Sequence, residues 1–106
     1  MTEPLILVID QGTHATRALV FDEDGRVRAE AFCEIALRGS GTALVEQDAT
    51  EIVASVRAVV QKVLADATVQ RLGVGRAGLT TQRSTVAVWD RCSGEPLGPV
   101  LSWQDR

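Results

Sequence analysis

The sequence predicts an α/β fold in which a mixed β-sheet is covered by an amphipathic helix. Two apolar runs, residues 5–9 and a second that ends at Phe21, are joined by a short polar turn containing glycine, which is typical of a β-hairpin. From Val27 to Ile35 every second side chain is apolar, and the positions between them are charged except for Phe32, which indicates a third strand with one solvated face, at or near a sheet edge. Apolar residues then recur at helical spacing between Ile52 and Val63, which indicates a helix that packs on the sheet.

The rest of the chain completes the predicted order β-β-β-α-β-β. Asp48, with a glutamate three residues later, marks the start of the helix, which we expect to run to about Ala67. Residues 72–80 predict a further strand, whose three glycines indicate that a neighbouring element packs closely against it. Residues 86–89 predict the next strand, with Trp89 in the core. Three antiparallel strands, a crossover helix and a parallel fourth strand form the opening of an RNase H-like sheet.

Size, charge and cysteine content restrict the class of protein. At 106 residues, 45% of them hydrophobic, the chain fits one small domain with a core. The net charge of −3 argues against nucleic acid as a main partner. No apolar run reaches the roughly 18 residues of a membrane helix, and no basic segment precedes the first apolar run, as a secretory signal requires. Cys33 and Cys92 lack metal-ligand spacing and are typical of thiols in a reducing cytosol, so we expect a cytoplasmic protein.

The turn of the first hairpin is rich in side chains that suit a phosphorylated ligand. Within eight residues the chain carries Asp10, Gly12, Thr13, His14 and Arg17. A glycine-permitted turn directs backbone N–H groups at an anion, hydroxyl and guanidinium groups strengthen the contact, and a carboxylate beside them holds hydrated Mg²⁺. Aspartate and glycine are also ordinary turn residues. The local pattern therefore leaves a phosphate-binding loop and a plain hairpin both open.

Six short stretches, taken together, give the chain a resemblance to a known family. They are residues 10–13 with Arg17, 45–48, 78–83, 88–90, 93–96 and 103–106. In this order and spacing they resemble the N-terminal part of a carbohydrate kinase of the FGGY family, closest to glycerol kinase. The resemblance implies a two-domain, RNase H-like (actin-like) ATP phosphotransferase. Residues 1–106 would then be the incomplete N-terminal part of its first, sugar-binding domain, with the second, ATP-binding domain outside this chain.

The resemblance also implies which residues contact each ligand. Gly12, Thr13, His14 and Arg17 would face the phosphates of ATP, and Asp10 would hold Mg²⁺. For His14, an outward orientation without a ligand contact stays open.

The implied acceptor site consists of Gln82, Arg83, Ser84 and Trp103. A guanidinium is a rigid fork of donors suited to hydroxyl oxygens, and an indole covers the apolar face of a polyol. Trp103 is equally compatible with a packing role. Glycerol kinases carry glutamate where this chain has Ser84, and a hydroxyl cannot supply the charged, two-oxygen acceptor of a carboxylate. Another polyol or sugar therefore stays open as the substrate.

The implied activity is ATP-dependent phosphorylation of a small-molecule sugar or polyol by the full-length protein. The resemblance places the general-base aspartate beyond residue 106, so no catalytic residue is assigned here. We expect the chain alone to be inactive and to self-associate through apolar surface that later elements would cover. Two alternatives stay open: an ATPase module of the actin and heat-shock chaperone type, and a non-catalytic sugar-sensing domain.

Overall fold

Two sheets and two helices form the fold of the described residues, 3–40 and 44–102, in this computed structural model. In chain order the elements are β1 (Leu5–Gln11), β2 (Ala15–Phe21), β3 (Val27–Glu34), β4 (Arg38–Ser40), β5 (Leu44–Gln47), α1 (Ala49–Leu64), α2 (Ala67–Leu72), β6 (Val74–Thr81) and β7 (Val100–Leu101). Among these residues, neither helix has the length and apolar character needed to cross a membrane.

The larger sheet has the strand order β3-β2-β1-β6. The first three strands form an antiparallel meander, and β6 returns to pair parallel to β1. Since the crossover between β1 and β6 includes α1, this arrangement confirms the mixed sheet expected from the sequence. It also confirms that β3, with its alternating pattern, lies at a sheet edge.

One face of the larger sheet forms the core, because α1 packs across β2 and β3. Leu5, Leu7 and Val20 point into this core from the sheet, and Val59 and Val63 meet them from the helix. The spacing of two in the strands and of four in the helix places each apolar set on one side of its element. The helix is therefore held mainly by packing on the sheet, as its β-branched composition leads one to expect.

The helical segment differs from the prediction at its end. Asp48 caps α1 as expected, accepting hydrogen bonds from the main-chain N–H groups of Thr50 and Glu51. The helix stops at Leu64 instead of continuing to Ala67. Asp66 then caps a second helix, α2, through its own side chain, and Gly73 ends that helix with φ +78°. A second capping aspartate close to the predicted end of the helix therefore follows an early stop of α1 and starts a new helix that the sequence did not predict.

The predicted order β-β-β-α-β-β is wrong on both sides of the helices. Two short strands, β4 and β5, precede α1 and form a second sheet with β7. Residues 86–89, predicted as a strand, contribute only the isolated bridges Val86–Leu101 and Trp89–Pro96. The returning segment cannot extend this pairing into a full ladder, because Pro96 and Pro99 have no N–H to donate.

Two predictions about packing are also corrected. Trp89 is 62% exposed and therefore lies outside the core, on a groove that it lines with Val53 of α1 and with Pro96. Close packing is confirmed at Gly75, where a Cβ atom would come within 2.7 Å of the Pro4 side chain. At Gly78 no atom lies within 4 Å of the corresponding position, so the expectation is wrong there.

Candidate functional site

The two polar segments singled out in the sequence lie side by side at one end of the larger sheet. Because β1 and β6 are parallel, their carboxyl ends reach the same edge. The main-chain N–H of Gln82, just after β6, donates to the carbonyl of Gln11 at 2.9 Å. The hairpin tip that follows β1 is thereby held next to residues 82–85.

The hairpin tip is a tight turn between β1 and β2. The N–H of Gly12 donates to the carbonyl of Ala15 at 2.9 Å, which leaves Thr13 and His14 as a two-residue loop. A Cβ atom at position 12 would lie only 3.0 Å from that same carbonyl oxygen, so the close approach favours glycine. Thr13 is half-buried and His14 is exposed.

Asp10 and Arg17 lie at the base of this hairpin, directly opposite each other in the β1–β2 register. Their side chains form an ion pair at 3.7 Å, with the carboxylate side chain 39% exposed and the guanidinium side chain 50% exposed. At this distance and exposure the pair is loose and open to water. The Asp10 carboxylate is therefore accessible to a cation, and Arg17 to an anion.

The surroundings of Asp10 fit a metal ion that takes one ligand from the protein and the others from water or a bound phosphate. Within the described part of the chain, no three His, Cys, Asp or Glu residues are grouped as a metal cage. Mg²⁺ is commonly bound through one or two carboxylates together with waters and substrate phosphates. A single accessible carboxylate next to a tight turn suits that mode of binding.

A polar cleft of about 520 Å³ opens between the hairpin tip and the segment after β6. Thr13, Gln82, Arg83 and Ser84 line it. Arg83 and Ser84 are exposed, and Ser84 has φ +56°, in the left-handed region that residues other than glycine seldom adopt. Thr13 of the predicted phosphate site and three of the predicted acceptor residues therefore share one cleft, whereas Asp10, Gly12, His14 and Arg17 are not among the residues that line it. Trp103, the remaining predicted acceptor residue, lies outside the described residues.

Sequence reasoning missed the two buried amides, Gln47 and Gln11, that hold Gln82 from beneath this cleft. Gln47, fully buried at the end of β5, donates from Nε2 to the carbonyl of Thr13 at 2.8 Å. Its Oε1 accepts from Nε2 of Gln82 at 2.9 Å, and the same Gln82 nitrogen also donates to Oε1 of Gln11 at 3.3 Å. The only signal in the sequence was that Gln47 belongs to one of the family-like stretches, since its partners are distant along the chain.

The fold and the cleft together define a class: the opening part of an actin-like α/β domain with a polar cleft at the carboxyl edge of its sheet. The FGGY family of carbohydrate kinases, N-terminal domain, matches residues 5–106. This chain therefore belongs to the FGGY family, as the short stretches had indicated.

Similar proteins support the same assignment. The chain is 44% identical to a glycerol kinase of Acinetobacter baylyi and 45% identical to one of Trichlorobacter lovleyi, in each case over 101 residues, 95% of this chain. These residues make up 20% of each relative, so the chain spans about a fifth of their length.

Two solved structures show the same fold. The glycerol kinase of Plasmodium falciparum with ADP has a TM-score of 0.86 and 25% identity, over 98% of this chain and 21% of that one. The xylulose kinase of Rhodospirillum rubrum has a TM-score of 0.85 and 23% identity, over 96% of this chain and 21% of the other.

Proposed function

We propose that a full-length protein carrying this chain transfers the γ-phosphoryl group of ATP to a hydroxyl of a sugar or polyol. The observation that supports this most directly is the single cleft lined by Thr13 of the hairpin tip and by Arg83 and Ser84. A kinase must hold its phosphate donor and its acceptor next to each other, because phosphoryl transfer depends chiefly on positioning and charge neutralisation. Membership of the FGGY family and the similar glycerol kinases support the same reaction.

The phosphate side of the cleft is assigned to the hairpin. Gly12 keeps the turn narrow, Thr13 and His14 present its tip, and Arg17 supplies a guanidinium that can pair with phosphate oxygens. Asp10 would hold Mg²⁺, which when bound neutralises charge on the phosphates. Holding the metal would occupy the Asp10 carboxylate, which now forms a loose ion pair with Arg17, so the Arg17 guanidinium would be free to pair with a phosphate oxygen.

The acceptor side is assigned to the segment after β6. Gln82 anchors this segment to β1, and Arg83 offers donors to hydroxyl oxygens at the mouth of the cleft. Ser84 offers a neutral hydroxyl, so the acceptor has one charged contact fewer than a glutamate would give. By the family resemblance alone, Trp103, which lies outside the described residues, would be the side chain that covers the apolar face of the acceptor. The acceptor is therefore a polyol or sugar, with glycerol as one member of the class to be tested.

The proton of the accepting hydroxyl must leave to a base, and the described residues that line this cleft include none. Within the described part of the chain, none of the residues lining the cleft is a carboxylate or a histidine. We propose that the base, together with an ATP-binding second domain, belongs to a longer protein of which residues 1–106 form the first part of the sugar-binding domain. The 106-residue chain alone is then inactive.

A coupled assay of ADP release tests this proposal. Full-length protein is incubated with Mg²⁺, ATP and a panel of polyols and ketoses, and we expect ADP release that depends on one acceptor. Release that is independent of every acceptor would favour an ATPase of the actin type instead. Acceptor binding without any ADP release would favour a sugar-sensing domain. Acceptor-dependent turnover by the 106-residue chain itself would contradict its assignment as an inactive part.

We further propose that the isolated chain self-associates through β6. This strand is the outer strand of the larger sheet opposite β3, and its side chains from Gly75 to Thr81 are exposed. The β3 edge carries several charged side chains, whereas Arg76 is the one charged residue of β6. Charged edges resist pairing with another strand and uncharged ones permit it. Leu79, 66% exposed, adds apolar surface beside this edge.

Light scattering of the isolated chain tests the role of β6. Leu79→Lys places a charge beside the proposed contact and should lower the weight-average mass toward that of a monomer, 11.4 kDa. Phe32→Lys, at an equally exposed position on β3, is the matched control and should leave the mass unchanged. A monomeric unmodified chain at high concentration would contradict the proposal.

The cellular compartment is part of the same proposal. Cys33 and Cys92 are both free thiols, as in proteins of a reducing compartment. ATP-dependent sugar metabolism by this family would then take place in the cytoplasm.

A further inference from the structure

We propose that Gln47 is a positioning residue that fixes the hairpin tip relative to residues 82–85. It acts through a relay of hydrogen-bonded side chains that runs beneath the cleft. The inference rests on the proposed function only in that these two segments would carry the phosphate donor and the acceptor.

The relay runs in one direction across the end of the sheet. Thr85 donates from Oγ1 to Oε1 of Gln82 at 3.1 Å. Gln82 donates from Nε2 to Oε1 of Gln47 at 2.9 Å, and Gln47 donates from Nε2 to the carbonyl of Thr13 at 2.8 Å. Every donor points from the acceptor segment toward the hairpin, so each bond polarises the next one in the same sense.

A second path of hydrogen bonds from Gln82 reaches Gly12, the residue before Thr13. Nε2 of Gln82 also donates to Oε1 of Gln11 at 3.3 Å, and Gln11 donates from Nε2 to the carbonyl of Gly12 at 2.9 Å. Gly12 and Thr13 are two of the four residues assigned to the nucleotide phosphates. Both of their carbonyls are therefore held by amides that in turn contact Gln82.

Gln47 can occupy the centre of the relay because a primary amide both accepts and donates. Its side chain is 0% exposed, so water cannot replace either bond. An ionised glutamate at this position would keep the acceptor for Gln82 and lose the donor to Thr13. Methionine has a similar length and loses both.

The backbone of Gln47 makes it a rigid anchor. In the second sheet it pairs with Val100, and the following residue, Asp48, is the N-cap of α1. The hairpin tip and residues 82–85 are thus fixed to the end of β5 as well as to each other. Errors of about 1 Å in the placement of reacting groups reduce the rate strongly, so such a link matters for phosphoryl transfer.

Amide hydrogen exchange of the 106-residue chain tests the link without any ligand. In the Gln47→Met variant we expect the amides of Gly12 and Gln82, both hydrogen-bonded, to exchange at least about tenfold faster. The hydrogen-bonded amides of Gly25 and Gly73 lie far from the relay and should change much less. Gln61→Met, at an exposed glutamine of α1, is the matched control and should cause no selective change.

Equal acceleration at all four amides would overturn the proposal, because it would reduce Gln47 to a general contributor to stability. Unchanged exchange at Gly12 and Gln82 would overturn it as well. If Gln47→Met does not fold, Gln47→Glu serves instead. At neutral pH it should accelerate exchange at Gly12 more than at Gln82, and the reverse order would contradict the direction of the relay.

Kinetics of the full-length protein separate positioning from binding. For Gln47→Met we expect kcat to fall at least about tenfold while the KM values for ATP and acceptor change less than about threefold. Each segment can still bind its own ligand, but their relative placement is lost. Raised KM values with an unchanged kcat would refute the positioning role. Should the protein prove not to be a kinase, the exchange result would still stand, so the two failures are distinguishable.

Discussion

The hydroxyl oxygens of Thr16 and Ser55 lie 2.7 Å apart and join the hairpin to α1. Both residues are almost completely buried. Ser55 directs its own hydroxyl hydrogen at the carbonyl of Ile52, 2.6 Å away, so Thr16 is the donor in the contact between them. A helix residue thus satisfies a buried strand hydroxyl just below the hairpin tip.

Replacing Ser55 with a residue that lacks a hydroxyl should therefore lower the stability of the fold. Ser55→Ala leaves the Thr16 hydroxyl buried without this acceptor, and we expect the free energy of unfolding to fall by about 1–3 kcal/mol. Urea denaturation of the 106-residue chain measures the change. Adding Thr16→Val removes the orphaned hydroxyl, so the double variant should lose less than the sum of the single losses. Strict additivity would show that the two hydroxyls are not coupled.

Under the proposed function, Asp10 should control the metal dependence of the full-length protein. Asp10→Asn keeps the shape of the side chain and removes its charge, so we expect kcat/KM to fall at least about 100-fold and the Mg²⁺ concentration for half-maximal activity to rise. Asp24→Asn, in the exposed β2–β3 turn, is the matched control. An unchanged Mg²⁺ requirement in Asp10→Asn would contradict the metal assignment.

Ser84 holds a backbone conformation that favours glycine. Its φ of +56° costs a residue with a Cβ atom about 1–2 kcal/mol. We expect Ser84→Gly to raise the free energy of unfolding by about 0.5–1 kcal/mol, net of the greater freedom of glycine in the unfolded chain. Ser84→Ala keeps the Cβ atom and should give no gain. Equal stability of the two variants would indicate that the residue is not strained.

Asp22 should make stability depend on pH in the acid range. The main-chain N–H of Arg26 lowers the pKa of this carboxyl below 3.8; burial opposes the shift, and the N–H of Asp24 and the side chain of Arg28 add to it. A carboxyl with a lowered pKa stabilises the fold fully above its unfolded pKa, and this contribution is lost as pH falls through the folded pKa.

The midpoint of thermal unfolding, measured from pH 7 down to pH 2, tests this dependence. The midpoint of the unmodified chain should fall as pH drops below about 4. The midpoint of Asp22→Asn should be lower at pH 7 and should fall less over the same pH range. Glu30→Gln, on the exposed edge strand, is the control and should follow the unmodified chain. Parallel curves for Asp22→Asn and the unmodified chain would refute the assignment.

Local patterns predicted the parts of the fold that short segments determine. The β1–β2 hairpin, the alternation of β3 and the Asp48 cap each depend on neighbours within a few residues. The cap at Asp66 is local too, but the apolar repeat that ends at Val63 gave no sign of a second helix after it. The exposure of Trp89 depends on which elements cover it, and no pattern in its own segment carries that information.

The candidate site was predictable in its composition and not in its internal connections. Aspartate, glycine and arginine near a turn suggest a phosphate and metal site, and this inference does not depend on where the turn lies in the fold. The contact of Gln47 with Thr13 joins residues 34 positions apart, and that of Gln82 with Gln11 joins residues 71 positions apart. Buried amides have no periodic signature, so only the folded chain identifies their partners.

The parallel pairing of β6 with β1 also sets the order in which the protein assembles. Leu5 pairs with Val74, about seventy residues downstream, whereas β2 and β3 follow β1 through short turns. On the ribosome the meander can therefore form early, and one side of β1 waits until residue 81 has left the exit tunnel. During that interval the edge of β1 that later pairs with β6 is exposed. Chaperones can bind it, and so can nascent chains on other ribosomes of the same polysome. Pulse-labelled exchange on stalled nascent chains should detect late protection of β1.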